Sequence, residues 1–141
     1  MMTELLNALK LSTGSYQKNI DPKMNNVDPV IRLLIVDDNP DDRELLRRML
    51  TRFKSRFQLI EAETGAAALK ICLENPPDCV LLDYHLPDFE APDFLAELGG
   101  DDLLWCPVVV ITGLTDGLSG ADLIRQGAQD FIGKNWINQE S

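Results

Sequence analysis

The sequence predicts one α/β domain built on a parallel sheet of five strands with helices on both faces. Three observations predict it. From Ile31 onward, short apolar runs alternate strictly with segments of helical periodicity. Most of these runs are apolar almost throughout, as strands covered on both faces are. The connections are short, and right-handed crossovers between parallel strands then place helices on both sides of the sheet.

The elements follow in order. IRLLIV, interrupted by a single Arg, is the first strand. DDRELLRRMLTRF sets Leu45, Leu46, Met49, Leu50 and Phe53 at helical spacing with arginines elsewhere, and is the first helix. FQLIEA, partly alternating, is the second strand. TGAAALKICLEN is the second helix, capped by Thr64 and ending before Pro76. CVLL is a short third strand. APDFLAEL is the third helix, closed by Gly99 and Gly100. VVVI, all β-branched, is the fourth strand. LSGADLIRQ is a weaker fourth helix, with Gly127 placed just past its end. DFI is the fifth strand.

At 141 residues the chain has the length of one domain. Residues 29–141 form that domain, and residues 1–28 form an N-terminal extension. Within the extension, Thr3 to Leu11 has the pattern of a short amphipathic helix carrying Leu5, Leu6 and Leu9, and a polar tether follows. The 13 basic and 23 acidic residues leave a net charge of −10. That argues against a direct nucleic-acid partner, which needs a basic face, and against an anionic membrane surface. It points weakly to a cation or a basic partner, with solubility as the plain alternative. Cys72, Cys79 and Cys106 are odd in number and form no C-x-x-C pair, so they read as reduced core residues of a cytoplasmic protein. No apolar run reaches the roughly 18 to 20 residues of a membrane span. The N-terminus has neither the basic nor the apolar stretch of a signal peptide.

In open α/β sheets, ligands bind outside the carboxyl ends of the strands. Strand one ends in Asp37-Asp38, strand three in Asp83 and strand four in Thr112, and Lys134 stands just past strand five. Each has an ordinary explanation alone: an acidic pair at a helix start, a capping Asp or Thr, a solvated Lys. Together they are harder to explain that way. Three carboxylates converging at about 6 Å repel by roughly 3 kcal/mol per pair at an effective dielectric of about 20. Such a cluster needs a counter-charge or a retained proton. A small all-oxygen ligand set suits Mg²⁺, which keeps several waters. The ammonium of Lys134 suits phosphate oxygens. A carboxylate nucleophile, a cation, a hydroxyl and an ammonium make a phosphoryl-transfer site. No glycine-rich phosphate cradle follows strand one, which counts against a nucleotide cofactor.

The motifs LLIVDDNP, CVLLDYHLPD, VVVITG and GAQDFIGK, in this order, resemble the receiver domain of two-component response regulators, over roughly Ile31 to Trp136. The resemblance implies a flavodoxin-like, doubly wound sheet of order 2-1-3-4-5, a topology for which a chemotaxis receiver is the standard example. It implies that Asp83 is the phosphoacceptor. Mg²⁺ would be held by Asp38, by Asp37 directly or through water, by Asp83, and by the backbone carbonyl of His85. Thr112 and Lys134 would bind the phosphoryl group. Phe131 would be the rotating aromatic residue that follows Thr112, although a plain core role for Phe131 is the alternative. Tyr84 and His85 flank the site as tuners of hydrolysis. The implied partner is a sensor histidine kinase or phosphotransfer protein. The chain itself is then a signalling domain rather than an enzyme, with self-phosphorylation and slow dephosphorylation as its only chemistry. It could also be part of a larger hybrid kinase.

The sequence departs from the family pattern in three places. Asn135 follows Lys134 where proline is usual, and Glu90-Ala91 replaces a frequent Asp-Gly. Only seven residues, Asn135 to Ser141, follow Lys134, whereas the family's fifth helix needs about 12 or more. The fifth helix is therefore expected to be missing or truncated, or the chain is a fragment of a longer protein. The flank left open would suit Thr3 to Leu11, from the same chain or exchanged in a homodimer. Two other readings stand beside the receiver. One is a phosphate-independent interaction module with the same fold. The other is a Mg²⁺-dependent phosphohydrolase with an aspartate nucleophile, which would normally carry a second acid where His85 stands.

Overall fold

The computed structural model describes residues 30–52, 56–99, 106–113, 120–125 and 127–133. The N-terminal extension, Phe53, Gly100, Lys134 and the tail from Asn135 lie outside these residues. The expectations placed on them, including the fifth helix and its substitute cover, therefore lie outside them too.

Among the described residues five strands and four helices alternate: β1 (Val30–Val36), α1 (Pro40–Thr51), β2 (Arg56–Ala62), α2 (Gly65–Glu74), β3 (Cys79–Asp83), α3 (Ala91–Gly99), β4 (Val108–Thr112), α4 (Gly120–Arg125) and β5 (Asp130–Gly133). The strands form one sheet of order β2-β1-β3-β4-β5, and every pairing is parallel. This is the predicted flavodoxin-like topology.

The sheet separates two cores by the period-2 rule of a strand. Leu34, Val36, Val80, Leu82, Val108 and Val110 pack with Ala68, Cys72, Phe94 and Leu95 of α2 and α3. Their neighbours Leu33, Ile35, Leu81, Val109 and Ile111 face the other way and pack with Leu46, Met49 and Leu50 of α1. Thus β1, β3 and β4 are apolar at successive positions because both of their faces are covered. The three cysteines are buried and none is in a disulfide.

The single Arg in β1 does not interrupt the strand. Both backbone groups of Arg32 bond Asp78, the N–H donating to the side-chain Oδ2 at 2.8 Å and the carbonyl accepting from Asp78 N at 2.8 Å. Its guanidinium runs out to Asn75 Oδ1 and the Pro76 carbonyl. The helix ends follow sequence signals. Thr64 caps α2 by accepting from Ala67 N. Gly127 follows α4 with φ 115°, a left-handed conformation suited to glycine. Its N–H donates to the Ile124 carbonyl at 3.1 Å. No described helix is long and apolar enough to cross a membrane.

Candidate functional site

The carboxyl edge of the sheet is assembled by register. Val36 is paired with Leu82 across β1 and β3, so Asp37, the next residue, stands level with Asp83. Asp83 in turn is paired with Ile111 on β4, one residue short of Thr112. The two acidic positions and the hydroxyl therefore come from three adjacent strands. Asp37, Asp38 and Asp83 each offer a carboxylate oxygen, and these atoms lie within 4.8 Å of one another.

Two of these carboxylates are nearly inaccessible. Asp37 is 2% exposed and Asp83 is 8% exposed, and they are the buried charged residues among those described. Asp38 is exposed and opens the cluster to solvent. Burying like charges side by side is costly unless a counter-charge or hydrogen bonds compensate. The donor set is all oxygen, two buried carboxylates and one accessible one, which fits a hard divalent cation that retains water.

Local bonds hold Asp37 in place. Its Oδ1 accepts from Asn39 N at 2.9 Å, and its own N–H donates to the Ala62 carbonyl at 3.1 Å. Asn39 is the N-cap of α1, accepting from Asp41 N, and Pro40 follows at the first helical position. The acids that favour the helix dipole are thus Asp41 and Asp42 in the first turn. Asp37 and Asp38 stand before the cap and belong to the cluster. Arg43 adds an unforeseen brace. From α1 its Nη1 donates to the Asp37 carbonyl at 2.7 Å, and its Nε donates to Glu61 Oε1 at 2.9 Å. A third bond, from Nη2, reaches Glu63.

The segment after Asp83 folds back on itself. Tyr84 N donates to the Ile111 carbonyl, so β3 keeps its partner one residue past Asp83. Ala91 N then donates to the Tyr84 carbonyl at 2.8 Å, and Leu86 N donates to the Phe89 carbonyl at 2.9 Å. His85 and Glu90 pair as an antiparallel bridge, with His85 Nδ1 3.5 Å from Glu90 Oε1. The replacement of Asp-Gly by Glu90-Ala91 is therefore compatible with a closed turn. Tyr84 is buried in the core of α2 and α3. Of the two residues expected to flank the site, only His85 is exposed to solvent.

The tip of this loop reaches α2. Asp88 accepts from Gly65 N through Oδ1 at 2.8 Å and from Ala66 N through Oδ2 at 2.9 Å. Partial desolvation pushes the Asp88 carboxyl up, but hydrogen bonds from the backbone N–H groups of Ala66, Gly65, Asp88 itself and Phe89 together outweigh it and hold the carboxyl below its ordinary value. Beside this contact the Phe89 ring fills the space that a β-carbon on Gly65 would need.

Thr112 is partly exposed at the end of β4. Phe131 is paired with Val110, and its own N–H donates to Asp130 Oδ1 at 2.8 Å. Its side chain is 43% exposed. A plain core role for Phe131 is thereby corrected: in so short an edge strand only Ile132 turns inward. Lys134 lies outside the described residues. Asn39, Arg43 and Asp88 were not foreseen. The Asn-Pro dipeptide before a helical pattern could have signalled the first of them.

The sequence profile of the response regulator receiver domain family matches residues 33–140. The transcriptional regulatory protein KdpE of Mycobacterium tuberculosis is 39% identical over 102 residues, which are 72% of this chain and 43% of that protein. The chain thus spans less than half the length of this curated relative. Among solved structures, the BeF3-activated N-terminal receiver domain of Klebsiella pneumoniae RstA aligns with a TM-score of 0.63 at 26% identity, covering 74% of this chain and 86% of that one. The Mn²⁺-bound form of the response regulator Rcp1 aligns with a TM-score of 0.67 at 25% identity, covering 74% of this chain and 81% of that one.

Proposed function

The chain belongs to the response regulator receiver domain family of two-component systems, and from that premise we propose that it accepts a phosphoryl group on Asp83 in a Mg²⁺-dependent reaction. The single observation that carries the proposal is the cluster itself. Asp83, buried at a strand end, has a carboxylate oxygen within 4.8 Å of those of Asp37 and Asp38.

Asp37, Asp38, Asp83 and the His85 carbonyl would hold the ion, with Asp37 bound directly or through water. When bound, Mg²⁺ neutralises charge on the carboxylates and on the transferring group. Asp83 supplies the nucleophile. One of its oxygens forms a bond to phosphorus as the donor's P–N bond breaks, and the donor imidazole keeps that electron pair. Thr112, one register step beyond Asp83, donates its hydroxyl to a phosphoryl oxygen. Lys134 pairs with another. Water later attacks the acyl phosphate, which restores the Asp83 carboxylate and releases phosphate. The donor is a phosphohistidine on a sensor kinase or phosphotransfer protein in the cytoplasm. The Mn²⁺ of the Rcp1 structure and the BeF3 activation named for RstA support this reading, as properties of those two proteins.

The test uses Mg²⁺ and acetyl phosphate. One phosphoryl group is expected on Asp83, stable in acid and labile in alkali, and lost in Asp83→Asn. Mass spectrometry that places the group on His85 or on a hydroxyl rejects the assignment.

A further inference from the structure

We infer that Asp88 is a positioning residue for the metal-binding loop, holding the His85 carbonyl in place by clamping the loop to the start of α2; this inference rests on the receiver reading above.

The loop from Tyr84 to Ala91 is internally closed. Its backbone bonds, Ala91 N to the Tyr84 carbonyl and Leu86 N to the Phe89 carbonyl, together with the His85–Glu90 bridge, make it one narrow unit. Such a unit moves as a body, so its orientation depends on what holds its two ends. The base is held by β3 and β4, through Tyr84 N and the Ile111 carbonyl. The tip is held by Asp88 and Phe89 against α2. Without the Asp88 bonds that end is held by the packing of Leu86 and Phe89 alone, and His85 lies between the tip and the base.

Helix capping alone does not account for Asp88. The first turn of a helix leaves several N–H groups without helical partners. In α2 the Thr64 side chain caps one of them, Ala67 N, through Oγ1, whereas Ala68 N makes the first helical bond, to the Thr64 carbonyl. The remaining two, Gly65 N and Ala66 N, are taken by a carboxylate 23 and 22 residues further along the chain. Both oxygens are used, which fixes the tip in direction as well as distance. Residues that orient a metal ligand from behind commonly matter for affinity as much as for stability.

Calorimetric titration with Mg²⁺ on the full chain tests this, comparing wild type with Asp88→Ala, Asp88→Asn, Thr64→Ala and Asp38→Ala. Asp88→Ala is expected to raise the Mg²⁺ dissociation constant roughly 10-fold and to slow phosphorylation by acetyl phosphate. Asp88→Asn keeps one acceptor oxygen and should fall between the two. Thr64→Ala removes the local cap of the same helix, so it lowers the melting temperature while leaving Mg²⁺ affinity unchanged. If Asp88→Ala binds Mg²⁺ like the wild type, or if Thr64→Ala weakens binding as much, the inference is overturned while the receiver reading stands. If the wild type does not bind Mg²⁺, or Asp38→Ala binds it equally well, both fail together.

Discussion

Thr112 and Phe131 stand on the same side of the sheet, on neighbouring strands. Phe131 is paired with Val110, and Val110 and Thr112 are two residues apart on β4, so strand alternation points both toward the face of α2 and α3. The aromatic ring is thus diagonal to the hydroxyl and largely outside the core. A hydroxyl drawn toward a phosphoryl group on Asp83 would vacate space beside Phe131.

This relationship predicts a separation between accepting phosphate and responding to it. Thr112→Ala should still be phosphorylated by acetyl phosphate but should transmit little to β5. NMR shifts of the Phe131 ring and the β5 amides, with and without phosphodonor, measure the response. Wild-type shifts in the mutant would show that Thr112 does not couple to Phe131.

The acidic cluster predicts a metal-dependent stability. Carboxylate oxygens within 4.8 Å repel by roughly 3 kcal/mol per pair at an effective dielectric of about 20. Mg²⁺ relieves that repulsion by binding the native state. At 100 times its dissociation constant it adds about 2.7 kcal/mol. Asp38→Ala should remove most of this gain and, with one like charge gone, should raise stability in chelator. Melts with Mg²⁺ and with EDTA for both proteins settle the matter, and equal Mg²⁺ shifts would contradict it.

The topology and the three strand-end positions were legible because they depend on local pattern. Continuous apolar runs identify strands covered on both faces, and the parallel alternation then brings Asp37, Asp83 and Thr112 to one edge without further information. The bracing of the site was not legible. Arg43 meets Glu61 across 18 residues, and Asp88 meets α2 across 22 and 23. Each looks like an ordinary exposed charge until the fold places it. The exposure of Phe131 was hidden for a related reason: a four-residue strand at the sheet edge gives no period from which to choose the buried side.

The Asp88 clamp predicts a titration in acid. Backbone N–H groups, those of Ala66 and Gly65 foremost, leave the Asp88 carboxyl below its ordinary value despite its partial desolvation. A carboxyl lowered in the native state stabilises the fold above the unfolded value of about 3.9. That contribution fades as pH falls through the lower native value. The amide shifts of Gly65 and Ala66 should therefore titrate together, with a midpoint below the ordinary value of about 3.9. The same amides in Asp88→Asn should show no such step. Separate titrations of the two amides, or a midpoint above the ordinary value, would count against a shared carboxylate.

Gly65 predicts an inversion of the usual helix-propensity rule. It is the first residue of α2, where its backbone is not in the left-handed region, so an alanine there is conformationally permitted. Replacing a helical glycine by alanine ordinarily stabilises by about 0.4–1 kcal/mol. Here the new β-carbon would overlap the Phe89 ring, with Phe89 Cγ at 3.0 Å and Phe89 Cβ at 3.2 Å. Phe89 packs against the core of α2 and α3 and cannot simply swing away. Gly65→Ala should therefore lose about 1–3 kcal/mol, the cost typical of overpacking. Phe89→Ala removes the obstacle, so in that background the same substitution should become neutral or mildly stabilising. Urea unfolding of the wild type, both single mutants and the double mutant measures the coupling between the two positions. Additive effects would mean that the Phe89 ring does not hold the loop against Gly65, and the steric half of the clamp would have to be abandoned.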